Sequence, residues 1–338
     1  MVTANAQKSS SQKYQKISQL EHILKRPDTY VGSVEKQVDK MWTYDSENHC
    51  MVEKEVSYVP GLFKIFDEIL VNAADNKVRD SSMSKIDVTI APEENLITVL
   101  NDGQGIPVEM HDTEKIYIPE LIFGHLLTSS NYDDKEKKVT GGRNGYGAKL
   151  CNIFSTEFIL ETVDSKQGKK YVQKWENNMQ TCHPPQITSY SKKSSYTKIS
   201  FKPDLKRFSM NELEQDIVSI MKRRVFDING SVRDVKVTLN KENLKIRNFK
   251  NYVELYLKSL EKMKKIDAGE ENVDENIETP TIIYERLNDR WEIAFAVSDI
   301  SFSQISFVNS IATTSGGTHV NYIADQLIKK ISGNLKKK

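Results

Sequence analysis

The residues from Pro60 to Lys77, PGLFKIFDEILVNAADNK, decide the fold that we expect for this chain. Pro60 and Gly61 mark the start of the stretch, and proline is favoured at the first position of a helix. Apolar residues then recur at steps of three and four, at Leu62, Phe66, Ile69 and Ala73. The stretch therefore predicts an amphipathic helix whose apolar face belongs to a protein core.

The opposite face of this helix carries one carboxylate and two amides. Glu68, Asn72 and Asn76 are spaced four residues apart, so their side chains lie along one ridge. Asn is a mediocre helix former, and two of them at helical spacing need a reason. A carboxylate can act as a base that orients water, while a neighbouring amide oxygen can ligate a hard cation. The alternative is a hydrated face on which the two amides have no special role.

The composition indicates a folded protein of about two domains, at 338 residues. A net charge of +1 predicts no global attraction to nucleic acid, so any basic site must be local. No run of eighteen apolar residues occurs, and we expect no membrane-spanning helix. The polar amino terminus predicts a flexible arm over residues 1–13 and no secretory signal. Three scattered cysteines fit a reducing compartment.

A polar loop, NDGQGIP at 101–107, directly follows two predicted strands, 86–90 and 95–100. Its two glycines let the backbone approach a flat ligand, and the carboxylate of Asp102 can accept a hydrogen bond from that ligand. The same residues are also typical of a simple hairpin turn. Taken alone, the motif favours the hairpin turn.

Four glycines lie within GGRNGYGAK, at 141–149, directly before a helical stretch. Small residues let consecutive N–H groups point into one hollow, and the helix start adds the positive end of its dipole. Arg143 and Lys149 add charge, so the segment predicts a phosphate cradle, with a flexible hinge as the alternative. It is not a Walker A loop, because Ala148 intrudes before Lys149 and Leu150 stands where Ser or Thr would bind magnesium.

The remaining segments predict an α+β fold. Alternating, branched residues at 157–163, 171–176 and 196–201 are typical of strands, and 213–225 has the spacing of a helix. Two or more helices against a largely antiparallel sheet make a two-layer α/β sandwich.

Two domains follow from this pattern. We place the sandwich at residues 14–248 and a smaller α/β domain at 249–338, which contains an acidic loop at 268–280 without apolar content. Within the smaller domain, 305–320 predicts a strand, a Gly-Gly turn and a helix cap. A strand pair across Asn288 and Asp289 precedes it.

Four motifs in order resemble the Bergerat-type (GHKL) ATPase fold of gyrase B, ATP-driven heat-shock chaperones, histidine kinases and mismatch-repair MutL proteins. They are EILVNAADN (68–76), NDGQGIP (101–107), TGGRNGYGAK (140–149) and YTKISF (196–201). Three further segments resemble the eukaryotic DNA topoisomerase II family, of the fungal type, rather than a MutL-like or chaperone ATPase. These are RPDTYVGS (26–33), LLTSSNYDD (126–134) and FVNSIATTSGGTHVNY (307–322).

The resemblance implies roles for individual residues. Glu68 would be the general base that orients the attacking water, and Asn72 would bind Mg²⁺ and bridge it to the phosphates of ATP. Asn101 and Asp102 would recognise the nucleoside, and Thr197 would help to hold the adenine. Further ATP contacts are implied at Asn76, Gly105, Ser129, Ser130, Asn131, Gly142, Arg143, Asn144, Gly145, Tyr146, Gly147, Ala148 and Lys149.

The resemblance also implies partners. Residues 249–338 resemble part of the family's transducer domain, but the family's Gln-Thr-Lys loop, which places a lysine on the γ-phosphate, is not found in this sequence. Nothing resembles the parts that cut DNA. We therefore expect an amino-terminal portion that binds ATP and forms an ATP-dependent homodimer but cannot cleave DNA. In the whole nuclear enzyme, this gate would close around double-stranded DNA.

Two further hypotheses accompany this interpretation. The first is a nucleotide-regulated dimerisation clamp with little hydrolysis of its own, which the rate of hydrolysis would distinguish from an ATPase. The second is a direct DNA contact by basic runs, either Lys336, Lys337 and Lys338 at the end of the sequence or the run from Lys222 to Arg224. A charge run is more often a solvated face.

Overall fold

The computed structural model describes residues 16–126, 128, 140–142, 145–267, 279–297 and 302–335. The predicted amino-terminal arm and residues 268–278 of the predicted acidic loop lie outside these ranges. No helix among the described residues is long and apolar enough to cross a membrane.

The predicted central helix is confirmed as α3, Pro60–Arg79. Proline occupies its first turn, and the four predicted core residues are all buried. Two shorter helices precede it, α1 (Gln19–Lys25) and α2 (Asp28–Val31), separated at Arg26 and Pro27. Because its whole apolar face is covered, α3 presents only the opposite ridge to a ligand.

An antiparallel hairpin that the sequence analysis missed joins α2 to α3. Its strands are β1 (Gln37–Asp45) and β2 (Cys50–Tyr58). The hairpin packs on two later helices through aromatic pairs. The ring of Tyr44 stacks 3.8 Å from that of Phe226, and the ring of Trp42 meets that of Tyr256 edge-on at 5.0 Å. The first half of β1 is exposed and charged, so its sequence lacks the alternation that marks a half-buried strand.

The strands of the sandwich are β3 (Lys85–Ala91), β4 (Leu96–Asp102), β5 (Ser155–Asp164), β6 (Lys169–Glu176), β7 (Thr181–Cys182), β8 (Gln186–Ser189), β9 (Tyr196–Pro203), β10 (Lys236–Leu239) and β11 (Glu242–Asn243). They form one mixed sheet with the order β11-β10-β3-β4-β9-β5-β6-β7, and β8 pairs with β6. Among the described strands of this sheet, only β3 and β10 pair in parallel. The predicted α+β class is confirmed.

Three further helices complete the sandwich. They are α4 (Ile118–Gly124), α5 (Gly147–Ile153) and α6 (Gln215–Ser231). Both α5 and α6 pack against α3, and short 3₁₀ turns lie at Pro92–Glu94 and Leu205–Phe208. The arrangement brings the start of α5, where the glycine-rich segment ends, directly onto α3.

The carboxy-terminal part begins with α7 (Phe249–Asp267), followed by the predicted strand pair β12 (Ile283–Arg286) and β13 (Glu292–Phe295). The prediction of one strand from residue 305 is wrong. The segment forms a tight hairpin of β14 (Phe307–Val308) and β15 (Ile311–Ala312). The chain reverses there because both turn residues, Asn309 and Ser310, adopt positive φ angles of 49° and 62°.

The last described helix, α8, spans Thr318–Leu335 and none of its residues is buried. Its apolar side chains Ile328, Ile331 and Leu335 are therefore exposed. The predicted division between residues 248 and 249 stays a prediction, although α7 begins at Phe249.

The basic run from Lys222 to Arg224 does not form a DNA-binding surface. Arg223 and Arg224 are only 7% and 1% exposed, because they lie on the inner face of α6. Arg223 pairs with Asp227 at 3.2 Å, and Arg224 pairs with Asp67 of α3 at 2.7 Å. Helical periodicity places these two arginines on the same side as the core residues, which the bare charge run does not reveal.

Candidate functional site

Glu68 and Asn72 lie on α3 directly beneath the glycine-rich segment. The Glu68 carboxylate forms an ion pair with Lys64, one turn earlier, at 2.5 Å. A Cβ built on Gly147 would lie 2.7 Å from Cδ of Glu68, and one built on Gly142 would lie 3.5 Å from Oδ1 of Asn72. Glycine at position 147 therefore lets the backbone lie directly against the Glu68 carboxylate, while position 142 faces the Asn72 amide at ordinary van der Waals range.

Asp75 belongs to the same site, although the sequence analysis assigned it no role. Its buried carboxylate accepts hydrogen bonds from the backbone N–H groups of Gly141 and Gly142, each at 2.8 Å. Burial raises the pKa of Asp75, against the opposing effect of these two hydrogen bonds and of Arg79. The available signal was spacing, because Asp75 is seven residues after Glu68 and so returns to a similar direction on the helix.

Lys149 secures the far end of the glycine-rich segment. Its ammonium donates to the carbonyl oxygens of Thr128 at 2.8 Å and Gly145 at 2.7 Å. The side chain is buried, and burial lowers its pKa to about 8. Tyr146 binds α1 instead, since its hydroxyl accepts a hydrogen bond from Nε2 of Gln19 at 2.7 Å. Ala148 is buried in the core at the start of α5.

The loop after β4 is held by carboxylates that are already hydrogen-bonded. Asp102 accepts from the backbone N–H groups of Ser84 and Lys85, at 2.8 and 2.7 Å, and from the Ser84 hydroxyl at 2.6 Å. Asp80, which the sequence analysis missed, accepts from the backbone N–H of Gln104 at 2.6 Å. Through these contacts the Asp102 carboxylate stabilises the loop.

Two amide side chains beside this loop, those of Asn101 and Asn76, donate hydrogen bonds to one backbone carbonyl oxygen. Asn101 is buried next to Asp102, whose carbonyl oxygen accepts from its Nδ2 at 2.9 Å. Asn76 donates to the same carbonyl oxygen at 3.3 Å. The ridge of α3 therefore contributes to two neighbouring parts of the site. Glu68 and Asn72 lie beneath the glycines, and Asn76 lies beside the loop after β4.

A pair of threonines lies opposite Asn101 on the sheet. In the strand register Thr197 stands beside both Asn101 on β4 and Thr162 on β5, and the two threonine hydroxyls lie 3.0 Å apart. Thr162 also accepts a hydrogen bond from the backbone N–H of Ile106 at 3.0 Å. A Cβ on Gly105 would overlap the carbonyl oxygen of Val163, so this loop meets β5 backbone to backbone.

The structure thus brings most of the predicted residues into one region. Glu68 and Asn72 meet the glycine-rich segment, and Asn76 connects them to the group formed by Asn101, Gly105 and Thr197. The remaining predicted site residues lie outside the described part of the chain, and these are Ser129, Ser130, Asn131, Arg143, Asn144, Lys336, Lys337 and Lys338.

This fold and site define an ATPase of the GHKL class. The family model described as "Histidine kinase-, DNA gyrase B-, and HSP90-like ATPase" matches residues 59–207, and the model described as "DNA gyrase B" matches residues 248–338. The 43K ATPase domain of Thermus thermophilus gyrase B shares the fold, with 20% identity, a TM-score of 0.58 and coverage of 89% of this chain and 69% of that one.

More similar relatives define the family. DNA topoisomerase 2 of Candida glabrata is 74% identical over 98% of this chain, and that of Saccharomyces cerevisiae is 73% identical over 98%. The crystal structure of the ATPase region of S. cerevisiae topoisomerase II has 72% identity and a TM-score of 0.87, covering 97% of this chain and 82% of that one. The chain belongs to the DNA topoisomerase II family. It spans about a quarter of the curated relatives, 24% and 23% of their lengths.

Proposed function

We propose that this chain binds ATP with Mg²⁺ and hydrolyses it between α3 and the glycine-rich segment. The observation that carries the proposal is the close approach of Gly147 to the Glu68 carboxylate, with Gly142 facing the Asn72 amide. Phosphoryl transfer requires an aligned water, a metal ion and donors directed at the phosphate oxygens. A carboxylate and an amide oxygen beneath the half-buried glycines Gly142 and Gly147 supply suitable groups.

Glu68 is proposed to accept a proton from the attacking water and to hold that water in line with the terminal phosphate. Its position near the start of α5 places it beside the backbone that would bind the phosphates, because a helix start favours negative charge. The ion pair with Lys64 keeps the carboxylate extended along the ridge. Removal of this base from comparable enzymes typically lowers the rate by about 10²–10⁴.

Asn72 is proposed to hold Mg²⁺, which would neutralise developing charge on the phosphates. Magnesium prefers oxygen ligands and usually takes only one or two from the protein, completing its shell with water and phosphate. The amide oxygen of Asn72 fits that requirement and lies one turn from Glu68, near Gly142. The metal would thus lie between the base and the phosphate-binding backbone.

The nucleoside is proposed to lie by Asn101, Gly105 and Thr197, with Asn76 between it and the metal. Asn101 and Thr197 are direct neighbours in the β4–β9 register, which supports a shared contact to one flat base. Asp102 also belongs to the predicted set, but its three existing hydrogen bonds favour an indirect role. The contacts predicted at Ser129, Ser130, Asn131 and Gly142–Lys149 complete the proposed site.

For the whole protein we propose the role of an ATP-operated gate in a nuclear, homodimeric enzyme. ATP binding would close the gate around a double-stranded DNA segment for passage through a second one. Support comes from the family and from the names of its members, DNA topoisomerase 2. Contact between DNA and the terminal lysines, Lys336 to Lys338, remains part of this proposal.

A dimerisation clamp with slow hydrolysis is the second candidate, and the ion pair of Glu68 favours it. A carboxylate oxygen that is bound to the Lys64 ammonium at 2.5 Å is not free to accept a hydrogen bond from the attacking water. Replacing Lys64 with Met should therefore raise the hydrolysis rate if this pair limits turnover. An unchanged rate would remove the observation that favours a clamp.

Titration calorimetry with a non-hydrolysable ATP analogue tests the first proposal. We expect binding in magnesium and weaker binding in chelator, because Asn72 would hold the metal and the metal would neutralise charge on the phosphates. Circular dichroism on the same sample establishes that the protein is folded. A folded protein that does not bind the analogue in either condition would overturn the proposed site.

A further inference from the structure

The hairpin turn between β14 and β15 touches the start of the glycine-rich segment. Nδ2 of Asn309 donates a hydrogen bond to the carbonyl oxygen of Thr140 at 3.3 Å. A Cβ built on Gly141 would lie 3.1 Å from the carbonyl oxygen of Asn309 and equally close to Ile311. The turn therefore contacts residues 140–142 beside α3, whose Val71 would lie 2.9 Å from the same Cβ position.

The same turn is bound to α3 through a buried arginine. Nη2 of Arg224 donates to the carbonyl oxygen of Ser310 at 2.6 Å, while its Nε donates to Asp67 at 2.7 Å. Arg224 is 1% exposed, and the planar guanidinium fixes the directions of both bonds. Asp67 immediately precedes Glu68 on α3, so one rigid group joins the turn to the helix that carries the proposed base.

Asp75 closes this set of contacts into a ring. It leaves α3 two turns after Asp67 and accepts from the N–H groups of Gly141 and Gly142 at 2.8 Å. From α3 the ring passes through Arg224 to the turn, then through Asn309 to Thr140, and back to α3. Each member contacts its neighbours by hydrogen bonds, so a shift of the turn must stretch at least one of them.

We propose that Asn309 is a positioning residue for ATP binding, which holds residues 140–142 against α3, and that Arg224 fixes the turn from which Asn309 acts. The inference rests on the proposed function, because it concerns the backbone that would meet the phosphates. It assigns to the β14–β15 turn a direct effect on the nucleotide site.

The conformation and the contacts of the β14–β15 turn suit this positioning role. Both turn residues have positive φ, the conformation of a two-residue turn in which Asn is favoured at the first position. Nη2 of Arg290 donates to Oδ1 of Asn309 at 2.9 Å, which fixes the amide orientation and directs Nδ2 to Thr140. A side chain that only packed against the segment would not need hydrogen bonds at both Oδ1 and Nδ2.

The test compares Asn309→Gly with Ser310→Gly. Glycine tolerates positive φ at either position, so both substitutions preserve the turn, and both keep the Ser310 carbonyl that Arg224 binds. Only Asn309→Gly removes the bond to Thr140. The first readout is amide exchange of Gly141 and Gly142 in protein labelled with ¹⁵N-glycine, without nucleotide. The second is affinity for the non-hydrolysable ATP analogue in magnesium.

We expect Asn309→Gly to speed exchange at Gly141 and Gly142 and to weaken analogue binding by about threefold to tenfold, the effect of one hydrogen bond. Ser310→Gly should match the wild type in both readouts. Equal exchange and equal affinity in the two variants would overturn the inference. If the folded wild type fails to bind the analogue, the proposed function fails, while the exchange comparison still decides whether Asn309 holds the segment.

Discussion

Gly147 lies so close to Glu68 that a Cβ at position 147 would approach Cδ of Glu68 to 2.7 Å and its Oε2 more closely still. The φ angle of Gly147 is not in the left-handed region, so alanine is conformationally acceptable there. Gly147→Ala must therefore act by displacing the carboxylate or the start of α5. We expect hydrolysis to fall by about 10²-fold, the effect of misplacing a catalytic group by about 1 Å. Steady-state hydrolysis assays measure this change.

Gly333→Ala is the matched control for this substitution. Gly333 lies in α8, and apart from the adjoining helix backbone no atom of the described residues comes within 4 Å of its Cβ position. The control should keep the wild-type hydrolysis rate and gain about 0.5–1 kcal/mol of helix stability. Wild-type hydrolysis in Gly147→Ala would mean that the Glu68 carboxylate can move without cost and that its observed position is not the catalytic one.

Replacement of Glu68 by Gln tests the base directly. The amide keeps the size of the side chain but cannot accept the proton, so hydrolysis should fall by about 10²–10⁴ while analogue affinity is retained. Hydrolysis is measured in the chain extended through the Gln-Thr-Lys loop of the family. Glu93→Gln, on an exposed 3₁₀ turn, is the charge-matched control. Turnover at the wild-type rate in the Glu68 variant would exclude it as the base.

Asn72→Ala should weaken analogue binding only when magnesium is present. The reason is that the proposed contact of Asn72 runs through the metal, which chelator removes from wild type and variant alike. Loss of one such ligand should lower affinity by about tenfold or more, since comparable metal-site changes cost 10–100-fold. Titration calorimetry in magnesium and in chelator gives both values. An equal loss in the two conditions would indicate that Asn72 supports the fold instead.

The sequence predicts the elements of this site better than the contacts between them. Periodicity identifies α3 because apolar spacing reports burial on one face, and turn residues identify the loops. Asp102 shows the limit, since its carboxylate is directed to Ser84 and Lys85 by strand pairing that no local pattern encodes. The role of Asp75 was missed, and Arg224 was assigned to a DNA contact, for a similar reason, because their partners are distant in sequence.

Asn101 and Asp102, adjacent in sequence, should therefore respond differently to replacement by alanine. Asp102→Ala removes three hydrogen bonds from the start of β3 and should lower the free energy of unfolding by about 1–3 kcal/mol. Asn101→Ala should chiefly weaken analogue binding. Denaturant unfolding and calorimetry of the two variants separate these effects. If the two variants lose affinity in the same proportion to their loss of stability, neither side chain recognises the nucleoside.

The lowered pKa of Lys149 predicts how nucleotide affinity depends on pH. Its ammonium is charged below pH 8 and neutral above it, since burial lowers the pKa to about 8. The terminal phosphate, with a last pKa near 6, is fully ionised over this range and adds no change of its own. If the ammonium lies near bound phosphate, analogue affinity should fall as pH rises above 8, by at most about tenfold per unit. Calorimetry at pH 7, 8 and 9 measures the trend.

Deprotonation of Lys149 changes the stability of the fold in the opposite direction to the nucleotide affinity. This difference separates a loss of phosphate binding from a loss of folded protein. The pKa of Lys149 is 10.5 in a solvated chain and about 8 in the folded one, so the unfolded chain binds more protons between these values. The contribution of Lys149 to the free energy of unfolding therefore rises from pH 8 to 10.5, while affinity falls. Lys149→Arg, which stays charged throughout, should remove both trends. Affinity that falls equally steeply in this variant would place the responsible group elsewhere.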